Sequence, residues 1–204
     1  MARIAGSNGP RTAALIREVG LTLIHEHGFE AMSLRDLAAE VGIQPASLYN
    51  HIASKQELLF DLVREHMEAL LASTAAALDD APPDPLRQLR AFVAHHLLYH
   101  MDKKREVYVA NFELRALEPR NREAILALRR LYEGRLIALL DEGVAAGEFA
   151  LADTRVAAYA MLAMLTGVCT WYRPDGRLAP EEVVRLHTEL VLAGCRGREM
   201  ALPA

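Results

Sequence analysis

The segment MSLRDLAAEVGIQPASLYNHIASKQELL, Met32 to Leu59, restricts what this chain can fold into more than any other. Ser33, with Asp36 three residues on, is a capping-box-like helix start. Leu34, Leu37, Ala38 and Val41 then recur as one buried stripe. Gly42 stops that helix and permits a tight turn into the next. Two helices crossing at a sharp angle need small residues where they meet, and Ala38 and Ala39 supply them. Leu37, Val41, Ile43 and Leu48 form a small core that fixes the angle. Pro45, whose φ suits a first turn, opens a short third helix expected to run to Ile52. Ser54-Lys55-Gln56-Glu57 is a full capping box that starts a long helix through Leu58, Leu59, Leu62, Met67, Leu70 and Leu71.

The short helix is unusual in what it presents. Gln44, Ser47, Tyr49, Asn50 and His51 crowd hydrogen-bonding groups onto about two turns. A helix that buries little and is held out on a scaffold is what insertion into a DNA major groove requires. A solvated polar turn is the plain alternative, and for such a helix alone it is an even match. The complete pattern of cap, glycine turn, proline start, apolar Leu48 and second cap favours DNA reading.

The rest of the chain follows helical spacing. Leu15, Ile16, Val19, Leu23 and Ile24 place a first helix over Thr12 to His27, after a flexible lead-in at Gly6 to Pro10 and before a C-cap at Gly28. Asp79 to Pro85, with three prolines, is the clearest break. Beyond it, helices are expected over Leu86 to His100, Lys104 to Leu117, Asn121 to Ala146, Asp153 to Tyr172 and Pro180 to Arg196. No strand pattern and no repeat is present. The fold class is all-α, with an N-terminal three-helix helix-turn-helix domain at 1–56 and a larger helical effector and dimerisation domain at 57–204.

Composition agrees. The 204 residues are 52% hydrophobic and 25% charged, enough for a buried core and too apolar for disorder. Few aromatics with abundant Ala and Leu favour helix. The net charge of -4 offers no bulk basic field. Met1 to Phe60 carries Arg3, Arg11, Arg17, Arg35 and Lys55 against Glu18, Glu26, Glu30, Asp36, Glu40 and Glu57. DNA binding must therefore rest on locally placed donors and helix N-termini. Cys169 and Cys195 form no CxxC pair and read as reduced, packed thiols of a cytoplasmic protein. Met1 to Arg11 has no apolar signal region, and the apolar run Val156 to Trp171 is shorter than the ~20 residues of a membrane span. No membrane association is expected.

Leu48-Tyr49-Asn50-His51-Ile52-Ala53-Ser54-Lys55 is similar to the LYxHFxxK signature of TetR-family regulators, with Ile52 in place of the usual aromatic. The resemblance covers about Thr12 to Leu62. It implies that Tyr49, His51 and Lys55 contact phosphates and that Ser33 meets the DNA backbone through its helix N-terminus. Arg35 would reach backbone or base. Gln44 and Asn50 carry amides able to pair with adenine N6 and N7, and Ala46 and Ser47 would lie near base edges or a thymine methyl. The implied partners are a palindromic double-stranded DNA, a small-molecule effector and a second copy of the chain. Repression relieved by the effector is the family expectation.

After Pro85, Tyr99, Tyr108, Asn111, Phe112, Arg115, Met161, Met164, Thr166, Trp171 and Tyr172 are candidates to line an effector cavity, a mixed lining that suits a small organic ligand. Ordinary core packing is the alternative for each. The segments Arg129 to Glu133, Glu142 to Phe149 and Trp171 to Glu182 resemble the C-terminal half of TetR-type regulators of fatty-acid and steroid catabolism, which implies an acyl-CoA thioester or other hydrophobic ligand. Arg115, Arg120, Arg122, Arg129 and Arg130 are dense enough to meet a nucleotide phosphate, or form a solvated face balanced by Glu113, Glu118 and Glu123. For a two-fold interface the candidates are Ala157, Ala160, Ala163 and Gly167 with Val183, Val184, Leu190 and Val191. His96 and His100 have metal-compatible spacing beside His95 but no third ligand, so no metal and no cofactor is expected. An enzyme or ligand carrier on a helical scaffold is the second reading. It lacks G-x-S-x-G, H-E-x-x-H, a P-loop and a dinucleotide fingerprint, so no enzyme activity is expected. A helical adaptor is the third, and it leaves the polar short helix unexplained.

Overall fold

The computed structural model describes residues 9–196, and every regular element within them is helical. The helices are α1 (Gly9–His27), α2 (Leu34–Val41), α3 (Pro45–Leu48), α4 (Lys55–Asp79), α5 (Pro85–Asp102), α6 (Lys104–Phe112), α7 (Pro119–Ala145), α8 (Thr154–Thr166), α9 (Val168–Trp171) and α10 (Pro180–Cys195). A 3₁₀ turn, Leu114–Ala116, separates α6 from α7.

Several boundaries differ from the sequence expectation. Arg3 and the Gly6 to Asn8 part of the lead-in lie outside the described residues, while Gly9 and Pro10 form the first turn of α1. Proline gives up only an amide that has no intrahelical partner there. The third helix closes at Leu48, and the chain to Ile52 continues as turns bonded i to i−3, such as His51 N to Leu48 O at 2.8 Å. The helix expected over Lys104 to Leu117 stops at Phe112, and the one over Asp153 to Tyr172 breaks at Gly167 into α8 and α9. The proline-rich break narrows to 80–84, since Asp79 ends α4 and Pro85 opens α5, and Asp84 caps α5 by accepting the Arg87 amide at 2.9 Å.

The described chain divides into two compact units: the described part of Met1–Met67 with Arg105–Leu126, and Glu68–Lys104 with the described part of Ala127–Ala204. In the first, α1 packs on α2 and α2 on α3. Ile16, Ile24, Leu37, Ala38, Leu48, Leu58 and Leu59 form its core, with Phe29, Met32 and Ile52 buried in the connections. Ala39 is exposed and Val41 and Ile43 half-buried, so Ala38 alone supplies the close crossing. Gly42 adopts φ 76°, and its amide with that of Ile43 returns to Ala39 and Ala38. That left-handed conformation is costly for any residue with a Cβ.

The second unit is built around α5, which packs against α10, α8 and α9. Leu89, Phe92, Val93 and Leu97 of α5 are fully buried against a core that includes Val183, Val191 and Leu192 of α10. Val183 and Val191 therefore belong to the internal core and not to an outer face. At the end of α7 the ring of Phe149 lies directly on Gly143, where a Cβ would collide with it. The Glu142 to Phe149 segment is thus a helix end folded back on itself, with the Phe149 amide bonded to the Gly143 carbonyl.

Candidate DNA-reading and effector sites

All the DNA-reading candidates fall in the first unit. Ser33 caps α2: its hydroxyl accepts the Asp36 amide at 3.1 Å and donates to the Asp36 carboxylate at 2.6 Å. Arg35 is exposed on the first turn of α2. Gln44 precedes Pro45 with its amide making no cap bond, and both Gln44 and Ala46 are exposed. Leu48, fully buried, anchors the segment. Tyr49 is 60% exposed beside exposed Asn50, with Ser47 and His51 half-buried. Anchoring one apolar residue and leaving its polar neighbours outward is the arrangement that offers side chains to a groove.

Lys55 has a partner within the fold. Its ammonium lies 4.3 Å from the centroid of the Phe29 ring and donates to the Glu30 carbonyl at 3.2 Å. A cation–π contact plus one hydrogen bond leaves two of the three ammonium donors for other partners. The capping box ahead of α4 also differs in detail. Ser54 accepts the Glu57 amide at 3.0 Å, but the Glu57 carboxylate reaches past Ser54 to the Ala53 amide at 2.7 Å. Arg17 is engaged by Glu65 at 3.1 Å. Sequence reasoning missed the local partners of Lys55 and Arg17 because both are made through space.

The effector candidates divide between the two units. In the first, Tyr108 packs tilted against Phe112 with centroids 4.5 Å apart and meets His25 edge to face at 4.9 Å. Asn111 Nδ2 donates to the Val107 carbonyl at 2.8 Å, and Arg115 is exposed. In the second, Met161 is buried, whereas Met164, three positions on, is exposed. The rings of Trp171 and His187 are parallel with centroids 5.9 Å apart, and Tyr99 packs beside His95. Tyr172 is buried, its carbonyl accepting from Lys104 Nζ at 3.0 Å. A cleft of about 250 Å³ lined by Asp84, Leu86, Phe149, Leu192 and Cys195 holds none of these candidates.

A buried polar cluster centred on His96 emerges in the second unit. His96 Nδ1 is 2.8 Å from the Tyr132 hydroxyl and Nε2 3.2 Å from the Thr166 hydroxyl. His100 stacks on it at 3.7 Å, and its Nδ1 lies 2.7 Å from the His96 carbonyl. His95 reaches Thr74 at 3.2 Å. Side chains of α4, α5, α7 and α8 are thus tied through polar groups. Burial, then the proximity of His100 and His95, holds His96 well below the ordinary imidazole range. Burial raises the Tyr132 phenol. The i, i+4 histidine pair signalled this cluster in the sequence, but Tyr132 and Thr166 carried no sign of it. Among the described residues no group of three potential ligands is arranged to hold a metal. No described helix is long and apolar enough to cross a membrane.

This is the architecture of a helix-turn-helix DNA-binding regulator joined to an all-helical receiving part. Residues 82–195 match the model of the tetracyclin repressor-like C-terminal domain, and residues 16–62 match that of bacterial regulatory proteins of the tetR family. The chain belongs to the TetR family and is a DNA-binding transcriptional repressor of the ligand-responsive type. It is 28% identical to the HTH-type transcriptional repressor KstR2 of Mycobacterium tuberculosis over 95% of this chain and 97% of that protein. Its fold is similar to the TetR-family transcriptional regulator PfmR of Thermus thermophilus, with a TM-score of 0.80 and 35% identity over 89% of this chain and 99% of that one. It is also similar to AibR, solved in complex with isovaleryl coenzyme A and operator DNA. There the TM-score is 0.81 and identity 27%, over 88% of this chain and 97% of that one.

Proposed function

We propose that this chain is a cytoplasmic, homodimeric repressor without catalytic activity, which holds a palindromic operator until an acyl-CoA thioester or similar hydrophobic effector releases it. The observation that carries the reading is the likeness to AibR, an acyl-CoA-bound and DNA-bound relative, across most of both chains. DNA reading is assigned to residues 1–56, and effector reception and dimerisation to 57–204. Tyr49, His51 and Lys55 take phosphates, with Ser33 at the α2 N-terminus. Arg35, Gln44, Ala46, Ser47 and Asn50 face base edges or the adjacent backbone. Tyr99, Tyr108, Asn111, Phe112, Arg115, Met161, Met164 and Trp171 are the candidate effector contacts. Exposure of Val156, Tyr159 and Leu190 on α8 and α10 supports the pairing of two copies through those helices.

The test is a titration of acyl-CoAs, differing in chain length, branching and ring content, against the operator-bound protein. At least one is expected to weaken operator binding and raise the melting temperature of the free protein. If none does either, while an uncharged aromatic compound does, the thioester reading fails and the repressor assignment stands.

A further inference from the structure

Gln56 lies in the first turn of α4 and uses its side-chain amide at both ends. Nε2 donates to the Ala116 carbonyl at 2.7 Å, and Oε1 accepts the Glu118 amide at 3.2 Å. Ala116 closes the 3₁₀ turn, and Glu118 immediately precedes Pro119, the first residue of α7. Neither bond helps to cap α4, because Ser54 and Glu57 already do so. One side chain therefore fastens the start of α4 to backbone 60 and 62 positions away.

Two further contacts in the same unit join α1 to the same stretch, and its C-terminal turn lies close to it. Arg105 donates to the Thr22 hydroxyl at 2.8 Å, Tyr108 meets His25, and the Glu113 carboxylate stands 3.5 Å from where a Cβ on Gly28 would be. The segment Arg105–Leu126 is thus bonded into the DNA-reading unit, although more than forty residues separate it from the helix-turn-helix.

We infer that Gln56 is a positioning residue that couples DNA occupancy to the α6–α7 connection. This rests on the repressor reading above. A bidentate amide clasp is geometrically strict, since a shift of about 1 Å breaks its hydrogen bonds. While it is closed, the 3₁₀ turn and the start of α7 move with the first turn of α4, which directly follows the recognition segment. Ordering Gln44 to Lys55 on DNA then orders Ala116 to Glu118. By linkage, any effector that displaces Ala116 to Glu118 acts back on DNA affinity by the same factor.

The test needs no knowledge of the effector. A duplex is selected by the purified wild-type protein from a random library, and amide hydrogen exchange is followed with and without it. In wild type, the duplex is expected to slow exchange severalfold over both 44–55 and 114–118. Gln56→Leu, which keeps bulk and removes both bonds, is expected to retain slowing over 44–55 and lose it over 114–118. Gln56→Glu, which keeps the acceptor for the Glu118 amide but not the donor to Ala116, is expected to fall between. It also serves as the working variant if Gln56→Leu melts well below wild type. Equal slowing over 114–118 in wild type and both variants overturns the coupling role. So does a wild type in which 114–118 does not respond while 44–55 does. If no duplex is selected, or 44–55 itself is unaffected, the repressor reading fails and the inference falls with it.

Discussion

His96 is a buried base whose two ring nitrogens are both in use, one near Tyr132 and one near Thr166. Burial keeps it neutral in the folded protein, while in the unfolded chain it titrates near the ordinary value of about 6.5. As pH falls through that value the unfolded state takes up a proton that the folded state refuses, so stability is lost on acidification. His95, also lowered by burial, adds in the same direction. The melting temperature of wild type is expected to fall between pH 7.5 and 5.5. Scanning calorimetry of His96→Gln should show a lower value at pH 7.5 and a shallower fall. An unchanged fall would remove His96 from the pH response. At the DNA-reading segment, exposed Tyr49 and Gln44 should behave differently from each other. Tyr49→Phe is expected to weaken binding to every duplex by a similar factor and to leave the salt slope of log Kd unchanged, because the phenol it removes carries no charge. Gln44→Ala is expected to relax preference at one base pair, at roughly 1–3 kcal/mol. Equal weakening by Gln44→Ala on all duplexes would reassign it to the backbone.

The elements legible in the sequence were those whose ends are written in local chemistry. Ser33 with Asp36, Ser54 with Glu57, the Gly42 stop and the proline break before α5 all act over fewer than five residues, and all stand in the structure. The short third helix was overextended because Tyr49, Asn50 and His51 are as compatible with helix as with the successive turns they adopt. The split at Gly167 and the early end of α6 were missed because nothing near them forbids a helix. Gly42 provides a test at this level. Open space surrounds it, so Gly42→Ala carries only the cost of the left-handed backbone, about 1–2 kcal/mol. Gly42→Asn is expected to cost less, since asparagine tolerates that conformation better. Chemical denaturation compares the two. If the alanine variant is as stable as wild type, the turn between α2 and α3 can relax without the positive φ.

What the sequence did not carry is the way distant segments assort. Tyr108, Asn111, Phe112 and Arg115 fall in the unit that reads DNA, while Tyr99, Met161, Met164 and Trp171 fall in the other. Spacing along the chain says nothing of that division, because it depends on contacts such as those of Gln56 with Ala116 and Glu118. The exposed face of the second unit was half legible. Small residues Ala160 and Ala163 are outward as expected, but Val183 and Val191 turn inward onto α5, leaving Leu190 as the large apolar group facing out from α10. Val156 is 64% exposed, Tyr159 51% and Leu190 60%. Under the homodimer proposed above, these are the groups that pairing through α8 and α10 would cover. In a two-fold interface each residue counts twice. Burying one leucine is worth about 1.5–3 kcal/mol, so losing two copies costs about 3–6 kcal/mol, before the charge introduced is considered. At about 1.4 kcal/mol per tenfold, Leu190→Glu is expected to weaken self-association by a factor of roughly 10² or more. Because one short helix reads only half of a palindrome, operator affinity should drop in parallel, while binding to an isolated half-site is unchanged. Sedimentation velocity across micromolar concentrations, with DNA binding on the same samples, separates the outcomes. A Leu190→Glu protein that stays dimeric and keeps its operator places the pairing surface elsewhere on the chain.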